Sequence, residues 1–179
     1  MLKKEKTGLV IIDVQGRLAE IVYDSERVIA NLVRLIQSAK LLDLPILWLE
    51  QNPEKLGKTV PALKAVLDSV QPISKYAFSA CGEPEFSAAV EKTKVNTWLI
   101  AGIEAHICVY QTTLDLMNSG YMVELVSDCI SSRSLDNKEL ALAKLTRKGA
   151  EITCLEMLLF ELISDCQAPE FKTALGLIK

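Results

Sequence analysis

The chain has a single histidine, no Cys-x-x-Cys pair, no Gly-x-Gly-x-x-Gly run and no apolar stretch long enough for a membrane helix. Each shortage removes a class of function. One histidine leaves most zinc sites without ligands. Five cysteines at 81, 108, 129, 154 and 166, odd in number and widely spaced, do not read as a disulfide framework. The phosphate-binding turn of dinucleotide folds follows none of the apolar runs. Basic excess is missing too. Twenty Lys and Arg against 23 Asp and Glu leave a net charge of −3, so nucleic acid is not an expected partner. Met1-Leu2-Lys3-Lys4-Glu5-Lys6 runs into an apolar segment with no small-residue cleavage site behind it, so no secretory signal is expected. The expected setting is cytoplasmic and reducing, with no membrane partner.

What is present is a globular composition. Half of the 179 residues are hydrophobic and 24% are charged, which excludes a disordered chain and suits one domain over residues 1–179. Leu9-Val10-Ile11-Ile12 is continuous and rich in β-branched residues, as a strand covered on both faces should be. Val28, Leu32, Leu35, Ile36, Ala39 and Leu42 fall on one helical face that Asp24 or Ser25 can cap. Further strands are expected at 46–49, 71–75, 97–101, 122–126 and 150–153. Helices are expected near 61–68, 84–92, from 107 to Gly120, and over 136–148. Thr153-x-x-Glu156 reads as a capping box, and Pro169 as the start of a terminal helix. Six strands separated by helices predict an α/β fold, a doubly wound parallel sheet with helices on both faces.

Open parallel sheets carry their sites beyond the carboxyl ends of the strands. Strand one ends at Asp13 and strand three at Lys75. Strand four runs into Gly102-Ile103-Glu104-Ala105-His106-Ile107-Cys108, with Cys108 at the start of the next helix. An acid, a cation and a thiol thus converge on one sheet edge. Singly, each has a plain explanation: a turn cap, a solvated strand end, an inert thiol. Together they form a histidine-free nucleophile, because a helix N-terminus and a nearby lysine favour the thiolate. Asp13 opposes that charge unless it holds the proton itself, so acid and thiol titrate as a pair. His106, two residues before Cys108, reads as a loop or packing residue, and Cys81 as a thiol exposed in a pocket loop. Gly57-Lys58-Thr59 has the tail of a phosphate loop, yet Asn52 stands where its first glycine belongs. A response-regulator receiver is excluded by Val14 after Asp13 and by Lys75 where its aspartate should be.

Ile11-Ile12-Asp13-Val14-Gln15, Lys75-Tyr76-Ala77-Phe78-Ser79 and Gly102-Ile103-Glu104-Ala105-His106-Ile107-Cys108-Val109 resemble the three motifs of the isochorismatase-like cysteine hydrolases. The likeness spans roughly residues 7–155 and looks closest to the isochorismatase-domain-containing subgroup. It implies a Rossmann-like three-layer α/β/α fold with a six-stranded parallel sheet, a Cys–Asp–Lys triad of Cys108, Asp13 and Lys75, and a cis peptide at Ile103–Glu104. It also implies an oxyanion hole from the backbone amides of Glu104 and Cys108. The expected activity is hydrolysis of a small amide, imide or carbamoyl compound through a thioester, with neither cofactor nor metal. Nicotinamidases of this family hold a metal through Asp and two His near strand two, where this chain has Glu50, Gln51 and Asn52. Gln15, Tyr76 and Phe78 are candidate pocket residues for the small-molecule substrate. The competing expectation is a binding or scaffold protein of the same fold without turnover. Apolar segments Leu155–Ile163 and Phe171–Ile178 suggest a homo-oligomer.

Overall fold

The computed structural model describes residues 1–178. The apolar runs form strands β1 (Thr7–Ile12), β2 (Ile46–Gln51), β3 (Pro72–Lys75), β4 (Thr97–Gly102), β5 (Met122–Ile130) and β6 (Glu151–Thr153). They pair in parallel throughout, in the order β3-β2-β1-β4-β5-β6. β1 and β4 are buried along their whole length. That is why they read as unbroken apolar runs rather than as alternating ones.

Successive residues of each strand feed opposite layers. Leu9, Ile11, Leu99 and Ala101 join one core with helices α2 (Ser25–Leu41), α8 (Leu155–Ile163) and α9 (Phe171–Ile178). Val10, Ile12, Trp98 and Ile100 join a second with α5 (Pro84–Thr93), α6 (Tyr110–Asn118) and α7 (Leu135–Thr146). The fold is therefore the three-layer, doubly wound α/β arrangement. Short helices α1 (Gly16–Ile21), α3 (Pro53–Leu56) and α4 (Pro61–Val66) decorate the connections after β1 and β2. We number the helices α1 to α9 in chain order.

Several local expectations give way to tertiary contacts. Asp24 precedes α2 in a left-handed conformation and makes no side-chain cap; it pairs instead with Arg27 at 2.7 Å. The Thr153 capping box does not form. The Asp128 carboxylate at the end of β5 accepts from Leu155 N at 2.9 Å and caps α8 from another element. α9 begins at Phe171, two residues beyond Pro169. The apolar α8 is mostly core: Leu155, Leu158, Leu159, Leu162 and Ile163 are buried, leaving Met157 and Phe160 outside. No helix among the described residues is long and apolar enough to cross a membrane.

Candidate active site

The strand order reverses between β1 and β4, and crevices open at such a switch point beyond the strands' carboxyl ends. Asp13 follows β1 there, in a left-handed conformation with φ 54°. Lys75 ends β3. Cys108 follows β4 within a π turn, Ala105–Val109, that precedes α6. Gly102 makes the close approach possible. Its φ is 124°, and a Cβ at that position would collide with Ile12 O. The peptide joining Ile103 and Glu104 is cis. Ala105 N donates to Ser131 O at 2.8 Å, tying this loop to the end of β5.

Lys75 is fully buried, contrary to the usual fate of a lysine. Its Nζ lies 2.8 Å from Asp13 Oδ2. It donates to Gln51 Oε1 at 2.6 Å, Phe78 O at 3.1 Å and Ala77 O at 3.2 Å. Asp13 Oδ1 is buried without a hydrogen-bond partner. Burial raises the Asp13 carboxyl above its ordinary range, against the opposing pull of the Lys75 charge. Cys108 is buried, and its thiol is pushed up to about 12, first by burial and then by the Asp13 charge.

The shift runs against the pull of Lys75 and on the side of the opposing Asp13 charge. Cys108 lies inside a π turn rather than at an α-helix N-terminus, and one lysine cannot balance two anions in an enclosed space. Lys75 Nζ faces the Asp13 carboxyl, and burial and the Asp13 charge both disfavour the Cys108 thiolate.

The other candidates take different places. Gln15 is fully buried, but its amide is spent on backbone: Nε2 donates to Gly57 O and Gln51 O, and Oε1 accepts from Gln51 N. It braces the β1 and β2 ends instead of lining a pocket. Tyr76 and Phe78 are 68% and 55% exposed, so their loop turns carbonyls toward the site and rings toward solvent. The Glu104 side chain points away, holding Arg133 Nε at 2.8 Å and Arg133 N at 3.1 Å. His106 Nδ1 is 2.9 Å from Ser132 Oγ, a loop contact as expected. Cys81 is half-buried, its thiol pushed up to about 11 by burial and by Asp115.

One member of the cluster escaped the sequence reading. Gln51 ends β2 and reaches both Lys75 Nζ and, at 4.0 Å, Cys108 Sγ. The available signal was position: β2 ends in a polar residue beside strands that end in Asp13 and Lys75.

A family model described as the isochorismatase domain matches residues 7–157. The chain belongs to the isochorismatase family. It is 34% identical over 176 residues to isochorismatase domain-containing protein 2A of Mus musculus, covering 98% of this chain and 84% of that one. A solved structure described as the MAR1 ribonuclease of Caenorhabditis elegans is 35% identical with a TM-score of 0.93, covering 99% and 91% of the two chains. The Escherichia coli YcaC gene product, described as an octameric hydrolase of unknown specificity, has a TM-score of 0.92 at 24% identity. It covers 99% of this chain and 88% of that one, and shares the fold. Family membership places this isochorismatase-family chain among the hydrolases of that superfamily.

The metal of the family's nicotinamidases does not suit these residues. Glu50 Oε1 accepts from Thr59 N and Thr59 Oγ1, Gln51 is neutral, and His106 is engaged with Ser132. Among the described residues no group of three or more His, Cys, Asp or Glu side chains is placed to hold a metal ion.

Proposed function

We propose that this isochorismatase-family chain is a metal-independent cysteine hydrolase of a small amide, imide or carbamoyl compound. The observation that carries the reading is the fully buried Lys75–Asp13 ion pair beside Cys108 at the β1/β4 switch point. A buried ion pair of this kind is a poor device for stability, because desolvation offsets its attraction. It is a good device for moving a proton.

Cys108 Sγ attacks the substrate carbonyl while its proton passes to Asp13, so that no free thiolate is needed beforehand. The amides of Glu104 and Cys108 receive the oxyanion, a contribution of about 3–4 kcal/mol to such a barrier. Asp13 then gives the proton to the leaving nitrogen as the C–N bond breaks and the thioester remains. Water attacks the thioester and yields its proton to Asp13. The C–S bond breaks, and the proton returns to sulfur. The Lys75 side chain compensates whichever partner is anionic.

A homo-oligomer fits the exposed rings of Tyr76 and Phe78 on the loop after β3, which a second copy would cover. Five cysteines without disulfides fit a reducing, cytoplasmic setting. A net charge of −3 argues for a small molecule over RNA, despite the name of the Caenorhabditis elegans relative.

The test is a panel of primary amides, cyclic imides and N-carbamoyl compounds, with a structured RNA alongside. Turnover of a small compound that disappears in Cys108→Ala is the expected result. Cleavage of RNA alone would overturn the substrate class. No turnover, with small compounds bound equally by wild type and Cys108→Ala, would favour the scaffold reading.

A further inference from the structure

The Gln51 amide is held in one orientation. Its Nε2 donates to Tyr76 O at 2.8 Å, which leaves Oε1 as the end facing Lys75 Nζ at 2.6 Å and Cys108 Sγ at 4.0 Å. The backbone beneath it is also fixed. Gln15 Oε1 accepts from Gln51 N at 2.6 Å while Gln15 Nε2 donates to Gln51 O at 3.1 Å, so one buried amide clamps both polar groups of one peptide residue. A third contact, Gln15 Nε2 to Gly57 O at 2.7 Å, fixes the clamp to the following loop.

The chemical type at position 51 matters as much as its placement. The buried cluster already contains one carboxylate, one ammonium and one thiol. A neutral acceptor can orient the ammonium and accept a hydrogen bond from the thiol without changing the charge of the cluster. A second carboxylate there would draw Lys75 toward itself and repel a developing thiolate. An apolar side chain would orient neither group.

We propose that Gln51 is a positioning residue of this site: it aims the Lys75 ammonium at Asp13 and Cys108 and offers the resting thiol a neutral hydrogen-bond acceptor beside Asp13, while Gln15 fixes Gln51. Its catalytic meaning rests on the cysteine-hydrolase reading; its effect on the thiol does not.

The experiment measures the rate at which iodoacetamide modifies Cys108 from pH 7 to 10, read on the Cys108 peptide by mass spectrometry. The Cys129 peptide serves as the unfolding control, because that thiol is fully buried elsewhere in the core. Gln51→Glu slows Cys108 by about tenfold or more at each pH, the factor that accompanies one pKa unit. Gln51→Met, close in shape and uncharged, speeds it by about threefold, the worth of one hydrogen bond released from the neutral thiol. A purely structural role would move both variants the same way and would expose Cys129 as well. Rates for Cys108 that change in one direction, or not at all, would overturn the inference. The hydrolase reading fails separately, through the absence of Cys108-dependent turnover across the compound panel. Opposite shifts in the two Gln51 variants would then still stand as the electrostatics of this thiol.

Discussion

At the scale of single residues, the site is a charge-balance problem with one cation and two groups able to carry a negative charge. Burial lifts both the Asp13 carboxyl and the Cys108 thiol, while Lys75 opposes both shifts. Under the proposed mechanism Asp13 must be ionised to take the thiol proton, so activity falls as pH drops through its folded-state pKa. That acidic limb should lie above the ordinary aspartate range. Lys75→Met should move it further upward, because the cation that favours the carboxylate is gone. The pH dependence of Cys108 acylation by p-nitrophenyl acetate measures this directly. The same substitution leaves a buried carboxylate without its counter-ion, at a cost of about 3–5 kcal/mol in denaturant unfolding. Lys75 was legible in the sequence as a strand-end cation; that it is wholly buried among four oxygens was not. The run Pro72-Ile73-Ser74-Lys75 carries no local signal of that burial.

At the scale of elements, the strand cores were legible because β1 and β4 are buried on both faces and so appear as unbroken apolar runs. Helix starts were less so. α8 is capped by Asp128 across 27 residues of chain, and no local pattern reveals a cap from another element. Asp128→Ala should therefore destabilise the protein by about 1 kcal/mol, as loss of an N-cap does, while Thr153→Ala should cost less. Equal losses in urea melts would contradict this assignment. The π turn that carries Cys108 was read as an α-helix N-terminus, since five residues hold no periodic signal. Gln51 escaped notice because a glutamine at a strand end has no chemistry until the register sets it beside Lys75. Gly102 is the sharpest requirement of the β4 end. An alanine there would combine a φ of 124° with contact against Ile12 O. Gly102→Ala should lower stability by at least about 1–3 kcal/mol, the scale of such backbone strain, with a clash added. Its denaturant midpoint measures this.

At the scale of the whole molecule, the order β3-β2-β1-β4-β5-β6 brings residues 13, 51, 75 and 108 to one edge, although they are far apart in sequence. Strand-end positions were enough to anticipate three of the four. A second ionic meeting point lies elsewhere. Glu124 on β5 is raised by burial and by the charges of Glu161 and Glu151, with the terminal amine opposing. A carboxyl raised in the folded state contributes stability in acid, below its unfolded pKa, and loses it as pH rises through the folded value. Glu124→Gln should accordingly raise the melting temperature at pH 7–8 and give no gain near pH 4. A gain at pH 4 equal to that at pH 7 would contradict the assignment.

The central claim, that Cys108 is a nucleophile served by Asp13, is tested most directly by pre-steady-state acylation with p-nitrophenyl acetate followed by peptide mapping. The account predicts a burst of about one equivalent of nitrophenolate and an acetyl thioester on Cys108. It predicts no burst in Cys108→Ala, and one slowed by about 100-fold or more in Asp13→Asn, the contribution typical of a positioned base. Acetyl groups spread over exposed side chains such as Cys166, with the burst unchanged in Cys108→Ala, would contradict it.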